Sequence, residues 1–242
     1  MTKIIWDTNH EYVSAVTLDL YNTLLVADIR TDHTALSAEI FSTSLRNDGI
    51  ELTVEAAAGL FSTRINRSLD DGMTYFERRI STFLASLGLD VSEPSIRQYA
   101  TDILHSWDSR WNLANDAIQV ISTLKQNGIA VGVVTNFDHY PYIRKLLERL
   151  KLELLSDAIV VSSEIKADKP DVRIFAHALS LLRVPAERLV HVGDDEVDVD
   201  GATNAGIRSV RISHYGSHST KREYEDVPTI GSLSELLPLV TS

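Results

Sequence analysis

The second half of the chain alternates short apolar runs with amphipathic segments, and this rhythm constrains the fold more than any other feature. Three apolar runs occupy residues 129–135, 157–163 and 188–194, and leucine, isoleucine and valine recur at helical spacing between them. Continuous apolar runs are typical of strands that are covered on both faces of a sheet. Strands that alternate with helices predict an α/β fold with a doubly wound, Rossmann-like parallel sheet.

The first half of the chain has a different character. Residues 13–19 read as one more buried strand of the same sheet, but residues 31–110 carry a helical pattern without a convincing strand. We therefore predict a core domain built from residues 1–28 and 112–242, with an all-helical domain inserted at residues 29–111. Four helices are expected there, in the segments TALSAEIFSTSLRNDG, TVEAAAGLFSTRINRSL, TYFERRISTFLASLG and SEPSIRQYATDILHSW.

Composition and charge exclude several classes of function. The chain has no cysteine, which rules out disulfides, thiol catalysis and thiolate metal sites. Its formal net charge of −11 repels nucleic acid and anionic membranes at long range, so we expect no binding to either. The acids near the N-terminus replace the apolar core of a signal peptide, which favours a cytoplasmic location. A small anionic substrate remains compatible, because a few cations can dominate inside a cleft.

Polar side chains follow the predicted strands at the edge of the sheet where open α/β folds bind ligands. They are Asp19, Thr135 and Asn136, Lys169, and Asp194 with Asp195 and Asp198. Converging carboxylates repel each other, and a bound Mg²⁺ would relieve that repulsion and keep Asp19 ionised. Thr135 and Lys169 can donate hydrogen bonds to substrate oxygens, and Asp19 can attack as a nucleophile. The expected product is an aspartyl intermediate that water later hydrolyses.

Four of these segments match a known family in its order along the chain. The segments are DLYNTLL at 19–25, VVTNF at 133–137, KPDVRIF at 169–175 and HVGDDEVDVDGATNAGI at 191–207. The chain thus resembles the haloacid dehalogenase-like (HAD) hydrolase superfamily. The resemblance implies that Asp19 is the nucleophile, that Thr135 and Lys169 bind the transferred group, and that Asp194 and Asp198 belong to the metal loop. It also implies that Thr23 braces the nucleophile loop and that residues 29–111 form a helical cap that closes over the site. Asn136 and Thr23 are candidate substrate-binding residues, and Asp19 is a candidate metal ligand together with Asp194 and Asp198.

Tyr21 departs from the phosphatase pattern of that family. Phosphatase members carry an Asp at this position, which protonates the leaving oxygen and activates water, and whose backbone carbonyl binds Mg²⁺. The carbonyl role survives at Tyr21, but a tyrosine with a pKa of ~10 is a poor base near neutrality. Tyr21 is therefore a candidate catalytic residue and metal ligand that we expect to serve mainly in packing.

The resemblance also points to a second branch of the family. The 2-haloacid dehalogenases carry Tyr at the position of Tyr21 and use no metal. They lack the Gly-Asp pair that this chain keeps at Gly193 and Asp194, and they place a Tyr where this chain has Phe175. Asn22 stands where most relatives have Gly or Asp. The first loop therefore resembles the dehalogenases and the last loop resembles the Mg²⁺-dependent phosphatases.

Three functional hypotheses follow. The first is Mg²⁺-dependent hydrolysis of a small phosphate monoester through an aspartyl intermediate at Asp19. The second is metal-free dehalogenation of a short 2-haloacid, with Tyr21 lining the pocket. The third is a catalytically weak binding or regulatory protein that keeps the fold.

Several other polar residues have a structural interpretation. We expect Asp195 and Asp200 to carry helix N-terminal or surface charge and His191 to be a hydrogen-bonded core histidine. Arginines of the inserted domain can reach a carboxylate or phosphate, although most should occupy solvated helix positions. They are Arg30, Arg64, Arg67, Arg78 and Arg79.

Overall fold

The computed structural model describes residues 12–27, 33–107, 110–214 and 224–241. The chain divides into two compact units. The α/β unit comprises Met1–Ala27, Asn112–Phe137 and Arg144–Ser242, and the helical unit comprises Asp28–Trp111 and Asp138–Ile143. Among the described helices, none combines the length and the apolar character that crossing a bilayer requires.

Short strands and helices alternate along most of the described chain. The strands are β1 Ala15–Leu18, β2 Leu25–Ala27, β3 Trp111–Leu113, β4 Ala130–Thr135, β5 Ala158–Val161, β6 Leu189–Gly193, β7 Arg208–Ile212 and β8 Thr229–Ile230. The α-helices are α1 His33–Asn47, α2 Val54–Ala57, α3 Tyr75–Ser86, α4 Glu93–Trp107, α5 Ala117–Gln126, α6 Tyr140–Arg149, α7 Leu152–Leu155, α8 Ser162–Ile165, α9 Val172–Leu182, α10 Glu196–Asn204 and α11 Leu237–Val240.

The main sheet has six parallel strands in the order β5-β4-β1-β6-β7-β8. The predicted α/β doubly wound sheet is therefore confirmed. Strand β1 lies in the middle, where Leu18 is level with Val133 of β4 and Val192 of β6. Because the chain builds one side of the sheet through β4 and β5 and the other through β6 and β7, the strand order reverses at β1. The crevice at such a reversal is where open α/β sheets bind ligands.

Helices α9 and α10 cover one part of this sheet with a continuous apolar cluster. Its buried members are Ala15, Val134, Val160, Ile174, Phe175, Ala178, Leu189, Ala202 and Ile207. Each large side chain buried in this way stabilises the fold by roughly 1.5–3 kcal/mol. This packing holds the ends of β1, β4 and β6 in fixed register.

The helical unit has its own core. Phe41 of α1 lies 6.0 Å from the ring of Phe83 in α3 and 5.9 Å from the ring of Tyr99 in α4, measured between centroids. Thr74 starts α3 with a capping box, in which its side chain accepts from Glu77 N and Glu77 accepts from Thr74 N.

The predicted second helix of the insertion, over residues 53–69, is wrong in its length. The structure has α2 and a 3-10 helix, Ala58–Ser62, followed by irregular chain up to α3. The buried guanidinium of Arg78 explains the difference. It donates to the backbone oxygens of Asn66 and Leu69 at 3.0 and 2.9 Å and pairs with Asp71. These tertiary hydrogen bonds hold the chain around Asn66 and Leu69 in an irregular path, and tertiary contacts of this kind override local helix propensity.

Gly201 of α10 tests how tightly this layer is packed. A Cβ there would lie 2.6 Å from Phe175 Cε2 and 2.9 Å from Pro170 Cα. Alanine gains about 0.5–1 kcal/mol over glycine in a helix, but overpacking costs about 1–3 kcal/mol. We expect Gly201→Ala to lower the free energy of unfolding by about 1–2 kcal/mol in urea titrations. Gly231→Ala, whose Cβ would meet only the flexible Glu235 carboxylate at 3.4 Å, should change it little; equal effects of the two would contradict the close packing.

Candidate active site

A cavity of about 230 Å³ opens at the carboxyl ends of the central strands. Ten residues of the α/β unit line it: Asp19, Tyr21, Asn22, Thr135, Asn136, Lys169, Asp194, Asp195, Val197 and Asp198. The structure thus brings together seven of the eight residues that the sequence assigned to the site. Thr23 is the exception, because it is fully buried and does not line the cavity. Its backbone oxygen accepts from His214 Nε2 at 2.9 Å, and its Oγ1 has no hydrogen-bond partner among the residues that the structure describes.

Asp19 occupies the cavity because it directly continues β1. Its backbone N donates to Val192 O of β6 at 2.8 Å, which extends the sheet hydrogen bonding by one residue. Its carboxylate is largely buried and accepts from Lys169 Nζ at 2.5 Å. The nucleophile candidate therefore has a fixed direction and a cation beside it.

The Lys169 ammonium has three acceptors. Nζ donates to Asp19 Oδ1 at 2.5 Å, to Asp198 Oδ1 at 2.6 Å and to Val134 O at 3.2 Å. A side chain that is only 2% exposed therefore keeps its charge fully hydrogen-bonded.

Asn136 holds the backbone of Lys169 in place. Asn136 Nδ2 donates to Lys169 O at 3.0 Å, and Lys169 N donates to Asn136 Oδ1 at 2.7 Å. Both polar atoms of this amide are thus engaged by the chain itself. The sequence assigned Asn136 to substrate binding, whereas its contacts in the structure are those of a residue that positions Lys169.

Three carboxylates near Lys169 form a donor set that fits Mg²⁺. Asp19, Asp194 and Asp198 each offer an oxygen, and these atoms lie within 4.8 Å of one another. One ammonium cannot balance three carboxylates, and hard carboxylate oxygens are the ligands that Mg²⁺ prefers. Asp198 Oδ1 is already engaged by Lys169 and by His191 Nε2 at 2.9 Å, so its other oxygen is the one that faces fewer donors. That oxygen, Oδ2, accepts from Asp195 N at 3.2 Å.

Burial shifts the acid–base behaviour of this cluster. Burial, with the nearby charge of Asp198, raises the pKa of Asp19 to about 7, although Lys169 opposes the shift. Burial and the neighbouring charges of Asp198 and Asp195 raise the pKa of Asp194 to about 6. Burial also acts to raise the pKa of Asp198, but Lys169 and the hydrogen bond from His191 outweigh it and hold that pKa well below its usual range. Of the three acids, Asp198 alone has its pKa lowered, whereas at Asp19 and Asp194 burial outweighs the ammonium.

Tyr21 and Asn22 shape the loop after Asp19. The Tyr21 ring stacks on Phe137 with centroids 5.6 Å apart and an angle of 20° between the planes, in keeping with the expected packing role. Asn22 adopts a left-handed backbone with φ of 58°, a conformation that Gly, Asn and Asp tolerate best. Its side chain also hydrogen-bonds to Asp194, which lowers the pKa of that carboxyl and partly offsets its burial. This link between the first and last loops was not predicted from the sequence.

Most of the remaining acids and arginines have structural partners, whereas Arg64 is exposed. Asp195 is the N-cap of α10, and Asp200 accepts from Tyr224 Oη at 3.0 Å. Within the helical unit, Arg67 and Arg79 both pair with Asp138, and Arg78 pairs with Asp71. Arg30 lies outside the described residues.

The raised pKa of Asp19 predicts how the stability of the metal-free protein depends on pH. The folded chain keeps a proton between the ordinary value of 3.8 and about 7, where the unfolded chain has lost it. The contribution of Asp19 to stability is therefore full at low pH and is lost as pH rises through about 7. With a chelator present, we expect Asp19→Asn to gain stability relative to the unsubstituted chain between about pH 5 and about pH 7.5 in urea titrations.

The exposed Asp226→Asn controls for the loss of one carboxylate and should show no such trend. Mg²⁺ should restore the stability of the unsubstituted chain at the higher pH, because a ligand of the folded state stabilises it. A gap between Asp19→Asn and the unsubstituted chain that is constant across this range would contradict the buried, proton-retaining Asp19.

Comparison with known proteins agrees with this geometry. The family model for haloacid dehalogenase-like hydrolases matches residues 13–206. The chain is 31% identical over 128 residues to (S)-2-haloacid dehalogenase 4A of Burkholderia cepacia, an alignment that covers 52% of this chain and 54% of that protein. It is 28% identical over 222 residues to glyceraldehyde 3-phosphate phosphatase of Methanopyrus kandleri, covering 86% of this chain and 94% of the relative.

The fold has close counterparts among solved structures. The crystal structure of 2-haloacid dehalogenase from Pseudomonas syringae pv. tomato superposes with a TM-score of 0.69 at 23% identity, over 94% of this chain and 97% of that one. Family match, sheet order and the cavity at the central strand agree with one another. This chain belongs to the haloacid dehalogenase-like hydrolases.

Proposed function

We propose that this chain is a Mg²⁺-dependent phosphatase of small phosphate monoesters that uses Asp19 as its nucleophile. The observation that carries the proposal is the joint placement of Asp19, Lys169, Asp194 and Asp198 in one cavity. A buried ammonium beside converging carboxylates suits a doubly charged substrate group and a divalent cation. A small anionic substrate also fits a cavity of about 230 Å³.

The proposed reaction has two steps. A carboxylate oxygen of Asp19 forms a bond to phosphorus while the bond to the leaving oxygen breaks, and that oxygen takes the electron pair. Water then attacks the phosphorus of the aspartyl phosphate, which releases inorganic phosphate and restores the carboxylate. Lys169 Nζ and the Thr135 hydroxyl would donate to the phosphoryl oxygens as charge builds on them.

Mg²⁺ would be held by Asp19, Asp194 and Asp198 with the backbone carbonyl of Tyr21, and when bound it would screen the carboxylates from the anionic substrate. Asn136 would act on the substrate only through Lys169, whose backbone it holds. Thr23, fully buried, would support the nucleophile loop through its backbone contact with His214.

The side chain at position 21 limits which substrates react quickly. Tyr21 stacks on Phe137 and offers no carboxyl to protonate a leaving oxygen or to activate water. The proposed enzyme is therefore best suited to leaving groups that depart without protonation.

We also propose that the helical unit serves as the cap of this site. The support is chain connectivity, because the unit is inserted directly after the loop that carries Asp19. Its arginines Arg67, Arg78 and Arg79 are engaged by Asp138 and Asp71, so they are poor candidates for substrate contacts.

Dehalogenation of a short 2-haloacid is the second candidate. Tyr21 favours it, and so does the similarity to (S)-2-haloacid dehalogenase 4A. Asp194 and Asp198 do not, because attack on a carbon bearing a halide needs no metal ligands. Phe175 is fully buried against His191 and lies outside the cavity lining, so it offers nothing to a haloacid.

The direct test is hydrolysis of an activated aryl phosphate with Mg²⁺ and with a chelator. We expect Mg²⁺-dependent phosphate release that falls at least about a thousandfold in Asp19→Asn, because the nucleophile is lost. Halide release from a 2-haloacid is measured on the same samples. Halide release without metal, in the absence of phosphate release, would replace the first candidate by the second; neither activity at any metal concentration would indicate a binding or regulatory protein.

Tyr21→Asp tests whether the missing carboxyl at position 21 is the only difference from a site arranged for phosphoryl transfer. It restores a carboxyl for proton transfer, a contribution that is typically worth about 10²–10⁴-fold in rate. We expect kcat for a poor leaving group such as an alkyl phosphate to rise at least about tenfold. Tyr21→Phe, which keeps the ring that stacks on Phe137, is the matched control and should stay near the unsubstituted rate. No gain in a folded Tyr21→Asp protein would mean that the rest of the site is not arranged for phosphoryl transfer.

A further inference from the structure

His191 is a fully buried polar side chain that the proposed reaction does not use. It lies in β6, level with Thr17 of the neighbouring β1, and its exposed fraction is 0%. Its Nδ1 is 2.9 Å from Thr17 Oγ1, and its Nε2 is 2.9 Å from Asp198 Oδ1. Phe175 packs on the ring edge to face, with centroids 5.0 Å apart. Both nitrogens thus have hydrogen-bond partners, and the ring contacts Phe175.

The chemistry of the partners fixes the direction of one of these bonds. The Asp198 carboxylate accepts hydrogen bonds and donates none, so Nε2 carries a proton and donates to Oδ1. The Thr17 hydroxyl can either donate or accept, so it satisfies Nδ1 in either state of the ring. His191 is therefore a permanent donor to Asp198.

The oxygen that His191 holds is the one that Lys169 uses. Asp198 Oδ1 accepts from His191 Nε2 at 2.9 Å and from Lys169 Nζ at 2.6 Å. The end of β6 leaves room for this carboxylate, because a Cβ on Gly193 would lie 2.1 Å from Asp198 Cγ. Asp198 is thus held on one side by strand β6 and its histidine, and it holds the ammonium on the other.

We propose that His191 is a positioning residue: by fixing Asp198 Oδ1, it sets the place of the Lys169 ammonium against Asp19. Its effect on activity rests on the proposed phosphatase function, whereas its effect on Lys169 does not. The lysine side chain has four rotatable bonds, and Asp198 is one of only two carboxylates in contact with it among the described residues. Without the histidine, Asp198 keeps, within the described part of the chain, only the bond from Asp195 N to Oδ2, at 3.2 Å, as a restraint apart from the ammonium itself. Oδ1 can then shift, and the ammonium loses its fixed partner.

Two amide replacements of His191 distinguish a positioning role of this residue from a packing role. In His191→Gln the amide nitrogen reaches about as far as Nε2 and can still donate to Asp198, whereas in His191→Asn it reaches only as far as Nδ1. Both lose the ring that packs on Phe175, so we expect similar losses of stability in urea titrations.

Kinetics with the aryl phosphate and Mg²⁺ give the first readout. We expect kcat of His191→Gln within about threefold of the unsubstituted chain, and kcat of His191→Asn about 10- to 100-fold lower with KM little changed. Thr17→Val keeps the bond between Nε2 and Asp198, and it should resemble His191→Gln in kcat. Equal kcat in the Gln and Asn variants would overturn the proposal, because a packing role predicts that both fall together.

The ammonium of Lys169 gives a second readout that needs no activity. In ¹⁵N-labelled, metal-free protein, a buried and fully hydrogen-bonded ammonium should give a resolved proton–nitrogen signal, assigned by its loss in Lys169→Met. The signal should persist in His191→Gln and Thr17→Val and disappear in His191→Asn. Its persistence in His191→Asn would overturn the proposal. If the unsubstituted chain shows the signal but no phosphatase activity, the proposed function fails while these spectra still decide the role of His191.

Discussion

The contact between Lys169 and Asp19 is the interaction on which the site depends. Burying a carboxylate is costly unless an opposite charge and further hydrogen bonds accompany it. Here the ammonium meets Asp19 and Asp198 at 2.5 and 2.6 Å and is itself almost inaccessible to water. Because one cation serves two acids and Asp194 lies close by, the cluster keeps an excess of negative charge. Burial, together with that excess of negative charge, raises the pKa of Asp19 and of Asp194. The same excess makes the cavity suitable for a divalent cation.

The register of the parallel strands, rather than a single specialised loop, brings Lys169 and Asp19 into contact. β1 lies between β4 and β6, so Asp19 emerges level with the ends of both neighbours. Each neighbouring segment then adds a restraint: Asn136 holds the Lys169 backbone, and Asn22 reaches Asp194 from a left-handed turn. A helical layer without room for a Cβ at Gly201 supports these strand ends from behind. The strand register and these hydrogen bonds fix the backbone positions of the candidate catalytic residues.

Local patterns predicted the fold and most of the cavity lining. The apolar run at 129–135 corresponds to β4, Ala130–Thr135. The residues that follow the strands line one cavity, because the carboxyl ends of parallel strands lie at the same edge of the sheet regardless of loop conformation. The features that the local patterns did not show depend on distant partners. The helix expected over 53–69 is short, and Arg78 of α3 binds the irregular chain that replaces its second half. Thr23 does not line the cavity, and the amide of Asn136 bonds the backbone of Lys169, a partner 33 residues away. No local pattern encodes such contacts.

The completeness of the hydrogen bonding around Lys169 has a consequence for molecular recognition. All three protons of its ammonium already have acceptors, and the longest of these bonds, 3.2 Å, runs to the neutral carbonyl of Val134. An arriving oxyanion cannot simply add to this cation; it must exchange places with one of the chain's own oxygens. The carbonyl is the weakest of the three acceptors. A ligand that replaces it therefore gains only the difference in hydrogen-bond strength between a charged and an uncharged acceptor. Such a pocket selects ligands by the density of their negative charge. It disfavours weakly charged ligands without any steric barrier.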